Sequence, residues 1–314
     1  MSVALKVREL ERRLARAGYM TVASREAKRY SFSLIAKRGE EGLVIRVLRN
    51  IDSCRRPVAV ELKKLAFSVG AAPFIVGSFA KSEPLLDGVL YSRFGVFALS
   101  LLTLQEMLGG RGPVIYAKRG GLFVKVNGTK LRRLREERGL SLGQLAKEVG
   151  VSRRAIYGYE RGEMEAALEV AMRLEEVLGE SVVKPMDISS CRRSVEEELL
   201  SSKEEPRDPL AKEIERIAER RGFVVTSLRR APFELAAVNV EDESRAFIKT
   251  VGRGSGAKEL REDLRVAARI AEITDASVIV VGRKELRVEL SRGIEEEFDN
   301  VHFVRREELK EYLG

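Results

Sequence analysis

Basic side chains are concentrated in residues 130–162, where nine lysines and arginines stand against four glutamates. The local net charge is +5, just over half of the +9 carried by the whole 314-residue chain. Arg153 and Arg154 directly follow Ser152, a residue type that often caps the start of a helix. Cations in a first helical turn oppose the helix dipole at a cost of about 0.3–1 kcal/mol each. Guanidinium groups there can bind guanine edges or phosphates, so the stretch predicts DNA contact. The alternative is that both arginines are ordinary solvated residues.

Three short helices are predicted to position these side chains. The first ends at Gly139. The second begins at Ser141 and ends at Gly150, and the S-x-x-Q pattern of Ser141 with Gln144 indicates a capping box. The third begins after Ser152. A fourth helix is expected to close the small core with Leu168, Ala171, Met172 and Leu178.

The stretch LREERGLSLGQLAKEVGVSRRAIYGYERG, residues 134–162, resembles the helix-turn-helix class of the phage Cro and lambda-type repressors. In that class the third helix lies in the major groove, so the resemblance implies base reading by Arg153, Arg154 and Tyr157. It also implies a structural salt bridge between Arg135 and Glu160. Six further side chains are predicted to contact phosphates: Lys130, Arg132, Arg133, Gln144, Ser152 and Arg161.

Two positions depart from the pattern of that class. Leu142 stands where the class often has a glutamine that clamps phosphate and base, and Gly158 occupies a further reading position. Both changes shift the predicted DNA contact toward arginines and backbone groups.

The segments on either side read as α/β domains. Apolar runs of strand type alternate with helical patterns in both, and a hairpin, PVIYAK and LFVKV around Arg119–Gly120–Gly121, leads into the helical stretch. The predicted domains are 1–111, an N-terminal α/β domain; 112–186, hairpin and helix-turn-helix; 187–209, a charged and partly helical linker; and 210–314, a C-terminal α/β domain. The fold class is therefore multidomain α/β plus all-α, with the helix-turn-helix bundle between two α/β domains.

The last segment repeats the order of elements of the first, which indicates a duplication, with two unrelated α/β domains as the alternative. The strand–strand–helix–strand order of both segments resembles the restriction-endonuclease-like fold. Nucleases of that fold need an acid on one strand and Glu-x-Lys on the next to hold Mg²⁺. The matching positions hold Ser33, Arg46 and Leu48 in the first segment, and Glu234, Lys249 and Val251 in the second. Neither set suits a metal, so both segments are predicted to be non-catalytic.

The chain as a whole, including YAKRGG and KPMDI, is similar to a family of archaeal helix-turn-helix transcriptional regulators. That similarity implies a regulator that binds double-stranded DNA; the alternatives are a non-catalytic nuclease-like nucleic-acid binder and an active nuclease. One reading helix distinguishes too few base pairs to select a single site, which favours a homodimer on an inverted repeat. The alternative is a monomer whose end domains themselves grip flanking DNA. The sequence identifies no small-molecule effector.

Other classes are disfavoured by composition. The two cysteines, Cys54 and Cys191, lie far apart in the sequence and are predicted to be free thiols. With a single histidine, His302, the sequence predicts neither a zinc site nor another cofactor. With neither an apolar run of about 20 residues nor a cleavable signal pattern, the expectation is a cytoplasmic protein without a membrane partner.

Overall fold

A computed structural model describes residues 2–24, 29–201, 209–251, 257–282, 294, 297–305 and 308–309. Helices in these ranges are α1 Val3–Arg16, α2 Arg56–Ser68, α3 Leu101–Leu108, α4 Gly128–Glu137, α5 Leu142–Val149, α6 Arg153–Glu160, α7 Leu168–Leu178, α8 Ile188–Ser201, α9 Pro209–Glu219 and α10 Ala257–Ile273. Strands of the first part are β1 Met20–Ala23, β2 Leu34–Arg38, β3 Glu41–Val47, β4 Ala72–Val76, β5 Phe79–Ala80, β6 Glu83–Pro84, β7 Val89–Arg93, β8 Val96–Leu99, β9 Ile115–Lys118, β10 Gly121–Val124 and β11 Ala166–Ala167. Those of the last part are β12 Phe223–Ser227, β13 Leu235–Asn239, β14 Arg245–Thr250, β15 Ser277–Val281 and β16 Val301–Val304.

A nine-stranded sheet runs from the first segment into the helix-turn-helix, in the order β1-β2-β3-β4-β8-β7-β9-β10-β11. Strand β9 pairs with β7, and β10 pairs with β11, the two residues before α7. The predicted hairpin is β9–β10, and Gly120 and Gly121 turn it at φ 104° and 141°, values that suit glycine. The sheet therefore continues across residues 111–112, where the sequence predicts a domain boundary. That boundary remains a prediction.

Alternation along β3 assigns its side chains to two different cores. Leu43, Ile45 and Val47 belong to a core that includes residues of α1 and α8. Val44 faces the opposite side and belongs to a core shared with the C-terminal segment. This period of two follows from strand geometry and puts Arg46 on the same face as Val44.

Helix α8 lies within the segment predicted to be a linker. It buries Ile188, Cys191 and Val195, which are spaced for one helical face, and it contacts α2 and β4. Residues 188–201 are thus a packed part of the N-terminal unit. Residues 202–208 of the same segment lie outside the described ranges.

The C-terminal sheet has the order β12-β13-β14-β15-β16. Strand β13 pairs with β12 and β14 in antiparallel orientation, and β15 pairs with β14 and β16 in parallel orientation. The first five strands of the large sheet, β1-β2-β3-β4-β8, show the same sequence of antiparallel and parallel pairings. A helix connects the third and fourth strands in both units, α2 in one and α10 in the other.

The two α/β units pack against each other reciprocally. Helix α2 contacts β12 and β13 of the C-terminal unit, while α10 contacts β1 and β2 of the N-terminal unit. Residues of both helices belong to one shared apolar core. Burial of that core accounts for the cohesion of the two units.

Candidate nucleic-acid interface

Side-chain caps and glycines set the ends of the helices around the basic stretch. Ser141 Oγ accepts from Gln144 N at 3.2 Å, and Gln144 Oε1 accepts from Ser141 N at 2.8 Å, which is the predicted capping box. Gly150 follows α5 with φ 73°, and Ser152 Oγ accepts from Ala155 N at 3.1 Å to start α6. Gln144 therefore has only its amide nitrogen available for the predicted phosphate contact.

The salt bridge between Arg135 and Glu160 is formed. Arg135 Nε lies 2.5 Å from Glu160 Oε1, and Nη2 lies 3.1 Å from Oε2, with both side chains about one-tenth exposed or less. Arg135 Nη1 also donates to the Leu140 carbonyl oxygen at 2.9 Å. The hydrogen bond that Arg135 donates to Glu160 raises the Arg135 pKa. The pair joins α4 to the end of α6 and fixes the orientation of α6.

Helix α6 presents the predicted base-reading residues on its outer face. Ile156 and Tyr159 are buried, whereas Arg153, Arg154 and Tyr157 are exposed. Within the described residues Arg153 and Arg154 form neither a hydrogen bond nor an ion pair. Their charges are therefore available to an external anion.

Arg161 extends this exposed face beyond the end of α6. Its guanidinium lies 5.6 Å from the centre of the Tyr157 ring and its Nε bonds Glu163 Oε1 at 2.5 Å. The ion pair with Glu163 is exposed at both ends, so a phosphate can compete for the arginine.

The predicted phosphate contacts on α4 have partners within the protein. Arg132 pairs with Glu136 at 2.8 Å and Arg133 pairs with Glu137 at 2.9 Å, each one helical turn apart. Lys130 Nζ lies 3.1 Å from Glu180. The outer face of α4 is thus largely compensated, whereas Arg153 and Arg154 on α6 form no ion pair within the described residues.

Two apolar positions differ from the sequence expectation. Met172 is 62% exposed, so its prediction as a core residue was wrong, and Leu174 is buried instead. Gly158 is buried, and a Cβ atom there would stand 2.7 Å from Met164 Sδ. Gly158 therefore accommodates Met164 and does not face outward as a reading position would.

The hairpin pairs with β11, the short strand that follows α6, which the sequence did not predict. Lys118 pairs with Glu165, between Arg161 and β11, and Arg119 at the tip is exposed. A two-residue strand such as β11 is too short to give a recognisable period, so the sequence carried no signal for this pairing.

The nuclease-like positions of the first unit hold no carboxylate, and those of the second unit hold one, Glu234. Ser33 Oγ accepts from Val47 N at 3.1 Å, and Arg46 Nη1 donates to the Tyr30 carbonyl oxygen at 2.9 Å. In the second unit, Lys249 Nζ lies 2.7 Å from Glu234 and 3.0 Å from Asp263. Among the described residues no group of three or more His, Cys, Asp or Glu side chains could hold a metal ion.

The remaining sequence candidates take ordinary positions. Cys54 and Cys191 are free and buried, and burial raises the pKa of the Cys191 thiol to about 12. His302 lies in β16 opposite Ile279. None of the helices in the described ranges is long and apolar enough to cross a bilayer.

Comparison with known proteins assigns two parts of the chain. Residues 5–113 match the PD-(D/E)XK superfamily domain, and residues 131–184 match the Helix-turn-helix family. A protein from Thermococcus gammatolerans, described as a candidate HTH-type transcriptional regulatory protein, is 38% identical over 262 residues, 83% of this chain and 79% of its own length. The chain belongs to this archaeal HTH-type regulatory family.

Other members of the HTH-type regulatory family match over most of the chain. Relatives with the same description from Pyrococcus horikoshii and Methanocaldococcus jannaschii are 37% and 30% identical. The alignments cover 90% and 92% of this chain and 87% of each relative. No solved structure is significantly similar to this member of the family.

Proposed function

We propose that the protein is a sequence-specific transcriptional regulator that binds double-stranded DNA and is not an enzyme. The observation that carries the proposal is the exposed pair Arg153 and Arg154 at the start of α6, which has no partner among the described residues, on a helix fixed by Arg135 and Glu160. Base contacts from the first turn of such a helix are the usual mode of major-groove reading. Its site of action is the cytoplasm, where an archaeal chromosome is accessible.

Selection of bound duplexes from a random pool tests this proposal. The wild-type chain is expected to enrich one motif, and the double variant Arg153→Ala/Arg154→Ala is expected to enrich none. Arg12→Ala/Arg16→Ala, which removes the same charge at two exposed positions of α1, serves as the control and should enrich the wild-type motif. Equal enrichment by all three proteins would reject the assignment of α6.

A homodimer on an inverted repeat is part of the proposal. One reading helix discriminates a few base pairs at about 1–3 kcal/mol each, too little to select one site among about 10⁶. Two helices related by a two-fold axis, about 34 Å apart, double that discrimination. Light scattering with footprinting tests this: a monomeric mass with one asymmetric protected half-site would exclude the dimer.

The two α/β units are proposed to be duplicated, non-catalytic nuclease-like domains. Supporting observations are the match of residues 5–113 and the equal order of strand pairings in both units. A second candidate function follows, namely shape-selective nucleic-acid binding by these units. It predicts that the Arg153→Ala/Arg154→Ala variant still prefers a four-way junction to a linear duplex; loss of both affinities together would exclude it.

A further inference from the structure

Carboxylates of the protein hold most of the cations that are predicted to contact DNA phosphates. Four of the six predicted phosphate contacts are ion-paired: Lys130 with Glu180, Arg132 with Glu136, Arg133 with Glu137 and Arg161 with Glu163. The two arginines predicted to read bases, Arg153 and Arg154, form no ion pair in the part of the chain that the structure describes. The acidic residues therefore accompany the phosphate contacts and not the base contacts.

The two pairs within α4 have an ordinary explanation. Arg132 and Arg133 each lie four residues before their glutamate, and an ion pair at that spacing stabilises a helix. Glu163 is different because α6 ends at Glu160, so its bond to Arg161 adds nothing to a helix. This pair is the one that calls for another role.

The guanidinium of Arg161 lies between a carboxylate and an aromatic ring. Its Nε is 2.5 Å from Glu163 Oε1, its Nη1 donates to the Tyr157 hydroxyl at 3.4 Å, and its carbon lies 5.6 Å from the centre of the Tyr157 ring. The backbone N of Glu163 donates to the Gly158 carbonyl oxygen at 2.9 Å, which holds Glu163 beside α6. Because a guanidinium group binds carboxylate and phosphate through the same N–H groups, Glu163 occupies donors that a phosphate would use.

The exposure of this pair makes it exchangeable. The side chains of Arg161 and Glu163 are 57% and 55% exposed, whereas those of Arg135 and Glu160 are 10% and 8% exposed. An exposed ion pair is weak and is screened by salt, so an incoming phosphate can displace the carboxylate at a small cost. The bond of Arg135 to Glu160 supports the structure, while the bond of Arg161 to Glu163 is available for competition.

We propose that Glu163 competes with a DNA phosphate for Arg161 and thereby limits how tightly the chain holds DNA of any sequence. This inference rests on the proposed DNA-binding function and adds a residue that acts against binding. Phosphate contacts supply the sequence-independent part of DNA affinity, and the chain carries a net charge of +9. A carboxylate at a phosphate contact reduces that part and leaves the base contacts of Arg153 and Arg154 unchanged.

Glu163→Gln tests the proposal, because glutamine keeps the shape of the side chain and removes its charge. Affinity is measured by fluorescence anisotropy for a random-sequence duplex and for the selected duplex, at about 50 mM and about 200 mM salt. The variant is expected to bind both duplexes about twofold to fivefold more tightly at the lower salt concentration, with unchanged base preference. The gain should shrink at the higher salt concentration, since screening weakens the ion pair in the wild type.

Two controls separate competition from a general effect of charge. Glu148→Gln removes the same charge from an exposed position of α5 and should change affinity less than twofold. Arg161→Ala and the double variant Arg161→Ala/Glu163→Gln should bind DNA equally, because without the guanidinium the carboxylate has nothing to compete for. Equal gains in Glu163→Gln and Glu148→Gln, or a gain that persists without Arg161, would overturn the proposal. Unchanged or weaker binding by Glu163→Gln would overturn it as well.

The random-sequence duplex keeps this test separate from that of the proposed function. If the wild type enriches no motif but Glu163→Gln gains affinity through Arg161, sequence-specific regulation is rejected and the competition is supported. If the wild type enriches a motif and Glu163→Gln gains no affinity, only the competition is rejected. A wild type that binds neither duplex would reject both.

Discussion

Gly128 at the start of α4 lies directly against the backbone of Glu160 at the end of α6. A Cβ atom at Gly128 would overlap the Glu160 carbonyl oxygen and stand 2.7 Å from the Tyr159 carbonyl oxygen. Backbone atoms cannot move aside as a flexible side chain can. The orientation of the proposed reading helix therefore depends on the absence of a side chain at Gly128, in addition to the bond between Arg135 and Glu160.

Gly128→Ala is expected to destabilise the helix-turn-helix by about 1–3 kcal/mol, the usual cost of overpacking. Hydrogen exchange of the α4–α6 amides measures this locally, separately from the stability of the other units. Gly143→Ala is the matched control: no atom lies closer than 4.0 Å to its added Cβ, and it is expected to stabilise α5 by about 0.5–1 kcal/mol. Unchanged exchange in Gly128→Ala would show that α4 and α6 are less closely packed.

Arg153→Ala and Arg154→Ala are each expected to weaken binding to the selected site by about 1–3 kcal/mol and to relax base choice locally. Arg132→Ala, on the compensated face of α4, should change affinity less and equally for all sequences. Fluorescence anisotropy at two salt concentrations, with the selected duplex and single-base variants, separates the two effects. If Arg132→Ala lost discrimination between bases and neither α6 variant did, base reading would have to be assigned to α4 and not to α6.

Neither α/β unit is expected to cleave nucleic acid in Mg²⁺ or Mn²⁺. The ammonium of Lys249 already lies between Glu234 and Asp263, and the first unit offers Ser33, Arg46 and Leu48. Incubation with duplex, junction and single-stranded DNA checks this. Cleavage that disappears on Glu234→Ala would contradict it.

The contact between α8 and the C-terminal unit is expected to weaken in acid. Arg192 donates to Glu243 at 2.7 Å, and this hydrogen bond lowers the Glu243 pKa below its usual 4.5. A carboxyl group whose folded pKa is depressed stabilises the fold above its unfolded pKa, and that stability is lost as pH falls through the folded pKa. Glu243→Gln should therefore lower the thermal midpoint at pH 7 and show a smaller further loss below about pH 4.5. If the thermal midpoints of the wild type and Glu243→Gln fell in parallel as pH is lowered, this hydrogen bond would not contribute to stability.

The helix-turn-helix could be predicted closely because its signals are local. Ser141, Gln144, Gly150 and Ser152 determine caps and turns within a few residues of themselves, and the structure has each of them as expected. Met172 was misassigned because it is one residue from Ala171, at the edge of the buried stripe, where helical period alone does not decide burial.

Contacts between segments that are distant along the chain could not be predicted from the sequence. The charged composition of residues 187–209 suggested a linker, although Ile188, Cys191 and Val195 have the spacing of a packed face. The pairing of β9 with β7 and of β10 with β11 depends on strands that are distant along the chain. The hydrogen bond from Arg46 to the Tyr30 carbonyl oxygen likewise joins residues from different parts of the N-terminal segment.

Continuity of the sheet from β1 to β11 also has a consequence for the geometry of DNA sites. Because β10 is hydrogen-bonded to both β9 and β11, α6 cannot rotate freely relative to the N-terminal unit. In a dimer formed through a surface outside the helix-turn-helix, the two reading helices would therefore have a fixed rotation relative to each other about the DNA axis. Inserting about half a turn of DNA, roughly five base pairs, between half-sites would place the second half-site on the opposite side of the duplex, where no linker could compensate.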